Sequence, residues 1–323
     1  MRVPAIYQMT GICSVMHLLV DGICVSCMYL MLSSFSDTQI LGIFLLYNVL
    51  AFLSQPFTGL WADRLERRHW ILLISALLLT LAVLATSVVM NVERCSIGMP
   101  VVAALLGVGN SLFHVWGGKK VAVDTDNDIR ALGVFVATGA FGLSLGIVFF
   151  SWTLLYVLLI SFCLLSVASL SIEVSESSSD AAKVKGSHFS SIFVLLSIMV
   201  IMAAVVLRSF VSETFSAGIP KSSTMVLLAG ALSMLGKMAG GWMARWLGVV
   251  RMLVLVLLML VACFLFRGQG TAILLAALFI INCTMPVTLY LANVVLPGRE
   301  GLAFGLLAAA LIPGYLIALN VLW

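Results

Sequence analysis

The chain has 323 residues, of which 63% are hydrophobic and 9% charged, with a formal net charge of +4. A soluble domain carries roughly 25% charged residues, so too few are present to cover a water-facing surface, and so small a charge gives nucleic-acid binding no support. Mean hydropathy is +1.20, and runs of roughly 20 apolar residues, each able to cross about 30 Å of hydrocarbon, recur along the chain. Backbone N–H and C=O groups cannot stay unpaired in lipid, and the runs are too long for barrel strands, so the spanning segments must be helices.

In chain order the apolar runs predict eleven spans, near residues 5–33, 39–61, 70–90, 98–122, 130–150, 152–172, 189–213, 222–245, 249–267, 270–296 and 300–322. The first run shows no signal-peptide cleavage site. It holds His17 and Asp21 at i and i+4, on one helical face. Between the second and third spans, GLWADRLERRHW at 59–70 places Gly59, Asp63, Arg64, Arg67 and Arg68 in one short segment. Between the fourth and fifth, DTDND at 124–128 begins like a calcium loop. Ile129 stands where that loop needs glycine and Phe135 where it needs a bidentate Glu, so the segment reads as a solvated turn.

One hydrophilic stretch, EVSESSSDAAKVKGSH at 173–188, follows the sixth span. It divides the chain into an N-terminal six-helix bundle (1–172), a linker (173–188) and a C-terminal bundle of about five helices (189–323). In the second bundle GKMAGGWMARWLG at 236–248 is a diverged copy of the 59–70 segment, with Gly240 and Gly241 followed by Arg245. Corresponding motifs in two halves are the mark of internal repeats in transporters. Alternate loops hold Arg2, Arg64, Arg67, Arg68, Lys119, Lys120, Arg130, Lys183, Lys185, Arg245, Arg251 and Arg299, against Arg94, Lys221 and Arg267 on the other side. That bias places the N-terminus and the linker in the cytoplasm. Seven scattered cysteines read as buried thiols. No nucleotide-binding Gly-Lys loop, catalytic constellation, cofactor motif or metal-ligand cluster is legible, so the chain does not read as an enzyme.

The 59–70 segment resembles the G-x-x-x-D-R-x-G-R-R pattern of the major facilitator superfamily, with Glu66 in place of its second glycine. Further stretches resemble the fosmidomycin-resistance branch of exporters: MHLLVDG at 16–22, GVGNSLFHVWGGKKVA at 107–122, FVATGAFGLSLG at 135–146 with Gly139, Gly142 and Gly146 on a glycine-rich face, LRSFV at 207–211 and NVVLPGREGLAFGL at 293–306. Val115 and Trp116 replace that branch's Pro-Glu, Ile147 replaces a usual proline, and the chain ends after span eleven where the superfamily has twelve.

The resemblance implies an all-α membrane protein with the major-facilitator two-bundle fold and about eleven transmembrane helices, lodged as a monomer in the cytoplasmic membrane. It implies a secondary active transporter of a small organic molecule, working by alternating access and proton-coupled efflux as in drug resistance. Uptake of a small anion, or a non-transporting sensor or partner subunit on the same scaffold, are the alternatives. It also implies that helices 1, 4, 7 and 10 line the substrate cavity. Those helices carry His17, Asp21, His114, Arg208, Asn282 and Asn293. A charge at mid-bilayer costs roughly 2.5–3.5 kcal/mol, which favours a shared wet cavity. On this reading Asp21 is the proton carrier tuned by His17, or else the two form a static bond. His114 touches substrate or bonds helix 1. Arg208 attracts an anion or pairs with Glu213, and Lys237 snorkels to the cytoplasm. Gly59, Asp63, Arg64, Arg67, Arg68, Arg130, Gly240, Gly241 and Arg245 form the cytoplasmic gate, with Asp63 meeting a helix N-terminus or pairing with Arg130.

Overall fold

The computed structural model describes residues 5–32, 36–65, 69–91, 98–171 and 190–322, and they form helices with no strand among them. In chain order these are α1 (Ala5–Leu32), α2 (Asp37–Asn48), α3 (Gln55–Arg64), α4 (His69–Asn91), α5 (Gly98–Asp124), α6 (Ile129–Phe149), α7 (Trp152–Ser171), α8 (Ser191–Ala217), α9 (Ser223–Leu247), α10 (Val249–Leu265), α11 (Thr271–Asn282), α12 (Met285–Val295), α13 (Glu300–Ala309) and α14 (Leu311–Leu322). Ten helical stretches of the described residues are long and apolar enough to span a membrane, and α10, with 17 residues, is shorter. Together they coincide with the eleven predicted runs. The linker 173–188, Arg67 and Arg68 lie outside the described residues.

Three spans are each built from two helices, and a proline follows each break. A π-helical turn at Val49–Leu53 separates α2 from α3, which opens on Pro56. Pro286 lies in the first turn of α12 and Pro313 in the first turn of α14. Proline has no N–H to return to the preceding turn and its ring crowds the i−4 carbonyl, so the helical ladder breaks there. The outer surface of the bundle is apolar, with Phe57, Val200, Val250 and Leu265 each about 70% exposed or more. Water could not cover such a surface; hydrocarbon does.

The helix pairs that hold the bundle together pack through glycines. Along α1 and α6, a Cβ at Gly142 would land on the Leu18 carbonyl and one at Gly146 on Val25. Between the two halves of the sequence, a Cβ at Gly59 of α3 would fall on the Gly301 carbonyl of α13, and one at Gly305 on the Gln55 carbonyl. Between α6 and α9, a Cβ at Gly241 would stand 2.7 Å from Ile129 O and 3.0 Å from Arg130 Cα. Gly240 abuts Cys283 at the α11–α12 junction. Lipid gives helices no hydrophobic reason to associate, so close backbone approach supplies the attraction. The α3–α13 contact and the Gly241–Ile129 end of the α6–α9 contact lie at the end that carries Asp63, Lys119, Arg130 and Gly301, here called the basic face.

Candidate functional site

Two groups of buried polar residues stand out, one inside the bundle and one at the basic face.

The inner group joins α1 and α5. His17 and Asp21, one turn apart on α1, meet Asn110 and His114, one turn apart on α5, and all four are less than 9% exposed. His17 Nε2 lies 3.4 Å from Asp21 Oδ2, and His114 Nε2 lies 3.5 Å from Asp21 Oδ1. The two Nε2 atoms are 2.8 Å apart, and Asn110 Nδ2 donates to Asp21 Oδ1 at 3.2 Å. Gly139 of α6 backs the group: a Cβ there would land on Asp21 Oδ2 and His17 Nε2. The rings of Phe113, Phe135 and Phe304 enclose the imidazoles, with centroids 4.9 to 6.4 Å from one or the other.

Backbone carbonyls fix the tautomers. His17 Nδ1 is 2.7 Å from Phe135 O, and His114 Nδ1 is 2.9 Å from Asn110 O. A carbonyl only accepts, so both rings carry their hydrogen on Nδ1 and, when neutral, turn Nε2 lone pairs toward each other. With the Asp21 carboxylate beside them, three acceptors converge in a buried place. A donor or a cation held among its members satisfies such a cluster.

No metal-ligand spacing is legible along the chain, yet folding brings one ligand atom each of His17, Asp21 and His114 within 4.8 Å of one another. The two histidines are 97 positions apart, so no local spacing betrays them. Asn110 was also missed, although its place one turn before His114 is the signal that could have found it.

Two further buried or half-buried cations stand on the second half of the chain. Arg208 of α8 is 8% exposed, and its Nε has no hydrogen-bond partner. Lys237 of α9 is within electrostatic reach of Asp21 and Arg208. Arg208 and Glu213 form no ion pair; Glu213 instead lines a cavity of about 680 Å³ with Thr214, Lys221 and Tyr315. Asn282 and Asn293 do not join the His17–Asp21 group. Asn282 Nδ2 donates to Leu278 O of its own helix. Asn293 Nδ2 donates to Asn127 Oδ1 at 2.8 Å, in the loop between α5 and α6. That loop is more than a solvated turn. Asp126 and Asn127 adopt φ of +50° and +58°, and Asn127 Nδ2 donates to Tyr290 O, bridging the halves.

At the basic face, Asp63 receives the N-terminus of α13: Oδ1 accepts from Gly301 N at 3.0 Å and Oδ2 from Leu302 N at 2.8 Å. Lys119 Nζ lies 2.9 Å from Asp63 Oδ1 and donates to Ala62 O, and both side chains of the pair are nearly buried. First-turn amides are otherwise unpaired and carry the positive end of the helix dipole, which a carboxylate complements. Asp63 and Arg130 therefore do not pair. Arg130 holds Asp128 at 2.6 Å, and Asp128 caps α6 by accepting from Arg130 N. The Arg130 guanidinium beside Asp128 holds that carboxyl below the usual carboxylate range. Arg64 and Arg245 are exposed at this face.

No protein-family model and no curated protein matches the chain. Solved structures do. One is a major facilitator superfamily transporter, FucP, in the outward conformation, with a TM-score of 0.67 at 15% identity over 98% of this chain and 91% of that one. Another is a bacterial homologue of the iron transporter ferroportin in the outward-facing state, with a TM-score of 0.68 at 16% identity over 97% and 91%. The fold is therefore that of the major facilitator transporters, an all-helical multi-pass membrane architecture.

Proposed function

We propose that the chain is a secondary active transporter of a small organic molecule, working by alternating access in the cytoplasmic membrane with its N-terminus in the cytoplasm. Residues 1–172 and 189–323 are its two moving bundles, and it acts as a monomer. The basic face is then the cytoplasmic gate, and the conformation is closed to the cytoplasm. One observation carries this reading: His17, Asp21 and His114 form a buried acceptor cluster on helices 1 and 4 of a transporter fold, where a static core would hold apolar side chains.

A proton shared between the two Nε2 atoms satisfies the cluster, and Asp21 balances its charge. Release of that proton to one side and its return from the other couples the gradient to substrate movement, at roughly 2.3 kcal/mol per charge per 100 mV. Efflux is the direction that the resemblance to exporters favours. Uptake of a small anion is the second reading. It is favoured by Arg208 and Lys237, which form no ion pair among the described residues.

Proteoliposomes carrying a pH-sensitive dye, challenged with a panel of small acids, bases and neutral compounds, test the proposal. At least one compound should elicit proton flux, and Asp21→Asn should abolish the flux. Undiminished proton-coupled transport by Asp21→Asn removes the Asp21 charge, and with it this cluster, from the coupling. Flux confined to anions and lost in Arg208→Gln selects the second reading.

A further inference from the structure

We infer that His17 Nε2, His114 Nε2 and a carboxylate oxygen of Asp21 form a three-ligand site for a divalent transition-metal ion of borderline softness, of the Zn²⁺ or Co²⁺ kind. The inference goes beyond the transport reading and does not depend on it.

Geometry comes first. The two Nε2 atoms are 2.8 Å apart, His17 Nε2 is 3.4 Å from Asp21 Oδ2, His114 Nε2 is 3.5 Å from Asp21 Oδ1, and one ligand atom from each residue lies within 4.8 Å of the others. A tetrahedral ion with metal–nitrogen and metal–oxygen bonds of about 2.0–2.1 Å has edges of about 3.3–3.4 Å between ligand atoms. Whichever carboxylate oxygen binds, one nitrogen–oxygen edge already matches, and the nitrogen–nitrogen edge opens by about 0.5 Å as an ion enters. Two imidazoles and one carboxylate are also the donor set that intermediate divalent metals prefer over Mg²⁺ or Ca²⁺, which take oxygen.

The second line of support is the outer shell. Metal-bound histidines nearly always donate their far N–H to a carbonyl or carboxylate, which fixes the ring and its tautomer. Here both do, to Phe135 O and Asn110 O. Asp21 is likewise held, by Asn110 Nδ2. Each of the three ligands thus has its own support, and all stand on the long helices α1 and α5, which hold a site more tightly than loops do. Asn110 Oδ1, fully buried, has no hydrogen-bond partner, and it is an acceptor for water carried on a bound ion. The neighbouring thiol of Cys24, 3.7 Å from Asn110 Nδ2, is the competing ligand to exclude.

The test uses the full chain, free of any histidine tag, in detergent and stripped with a chelator. Titration with Co²⁺ should give one ion per chain and the visible absorption of a four-coordinate centre. Asp21→Asn and His114→Gln, each first shown to elute as the wild type does, should weaken binding by more than the roughly 10- to 100-fold typical of an outer-shell loss. His69→Gln should bind as the wild type. X-ray absorption of the Zn²⁺-loaded wild type, which needs no variant, should show two imidazole nitrogens and oxygen. Absence of any stoichiometric ion, a band that survives both substitutions, or sulfur in the first shell overturns the site. Metal binding without proton flux would sink the transport reading alone, and proton flux without metal binding would sink this inference alone.

Discussion

Replacing Asp63 by asparagine keeps the shape of the side chain and removes one charge at the point where α13 docks. The carboxylate accepts two backbone N–H groups and the Lys119 ammonium. Asparagine has one acceptor oxygen, so at least one amide loses its partner and the new NH₂ faces donors. Hydrogen bonds to a charged group contribute about 1.5–3 kcal/mol each, and stripping one member from a buried ion pair costs about 3–5 kcal/mol because the other is left charged. Taking the lower bound, about 3 kcal/mol is lost from the closed basic face, or about a 100-fold change in the opening equilibrium. Hydrogen-exchange mass spectrometry of the segment 296–309 reads that equilibrium directly: exchange in Asp63→Asn should rise about 100-fold. Lys119→Met in the same chain removes the stranded ammonium, so the double variant should recover part of the protection. Equal exchange in the wild type and Asp63→Asn, or no recovery in the double variant, refutes the argument that this carboxylate holds the halves together.

Two further outcomes follow from the geometry. Gly139→Ala puts a methyl on Asp21 Oδ2 and His17 Nε2, and overpacking of this kind costs about 1–3 kcal/mol; the variant should fold and elute normally while losing proton flux and Co²⁺ binding together, and retention of both would show that the cluster is not confined by α6. Asp128→Asn keeps an N-cap and loses the Arg130 pair. Because the folded state depresses the Asp128 carboxyl, the stability it adds is present above the ordinary carboxylate range and lost as pH falls below that range. Thermal melts should therefore separate wild type from Asp128→Asn at pH 7 and converge in strong acid, whereas a difference constant with pH would remove the charge from the explanation.

The apolar runs were legible because lipid imposes a length and a composition on every span. Eleven runs match ten long helices and α10 for that reason. The positions of backbone breaks were not, since periodicity does not show that Val49–Leu53 winds as a π turn. The i, i+4 placement of His17 and Asp21 was visible, but their partners Asn110 and His114 arrive from another helix. The motif suggests that Asp63 meets a positive helix end, as it does at α13, but not that Arg130 takes Asp128, two residues before it, in place of Asp63. Snorkelling is the default reading for an isolated lysine in a span, and the sequence does not show that the fold brings Asp21 within electrostatic reach of Lys237.

The inner cluster and the basic face are not independent, and α5 is why. His114 and Lys119 stand on that one helix, five positions apart, a rise of about 7.5 Å. Lys119 holds Asp63, which holds the first turn of α13. Four residues into α13, Phe304 presses its ring on Gly118, where a Cβ would collide with it, and faces His114 at 6.4 Å and Phe135 at 6.0 Å. Phe135 in turn supplies the carbonyl that fixes the His17 tautomer. If α13 draws away from the basic face, Phe304 leaves the ring it covers and the cluster loses part of its wall. On the proposed reading, a cation among His17, Asp21 and His114 is covered by the same helix that Asp63 anchors, which would tie exchange of that cation to separation of the halves.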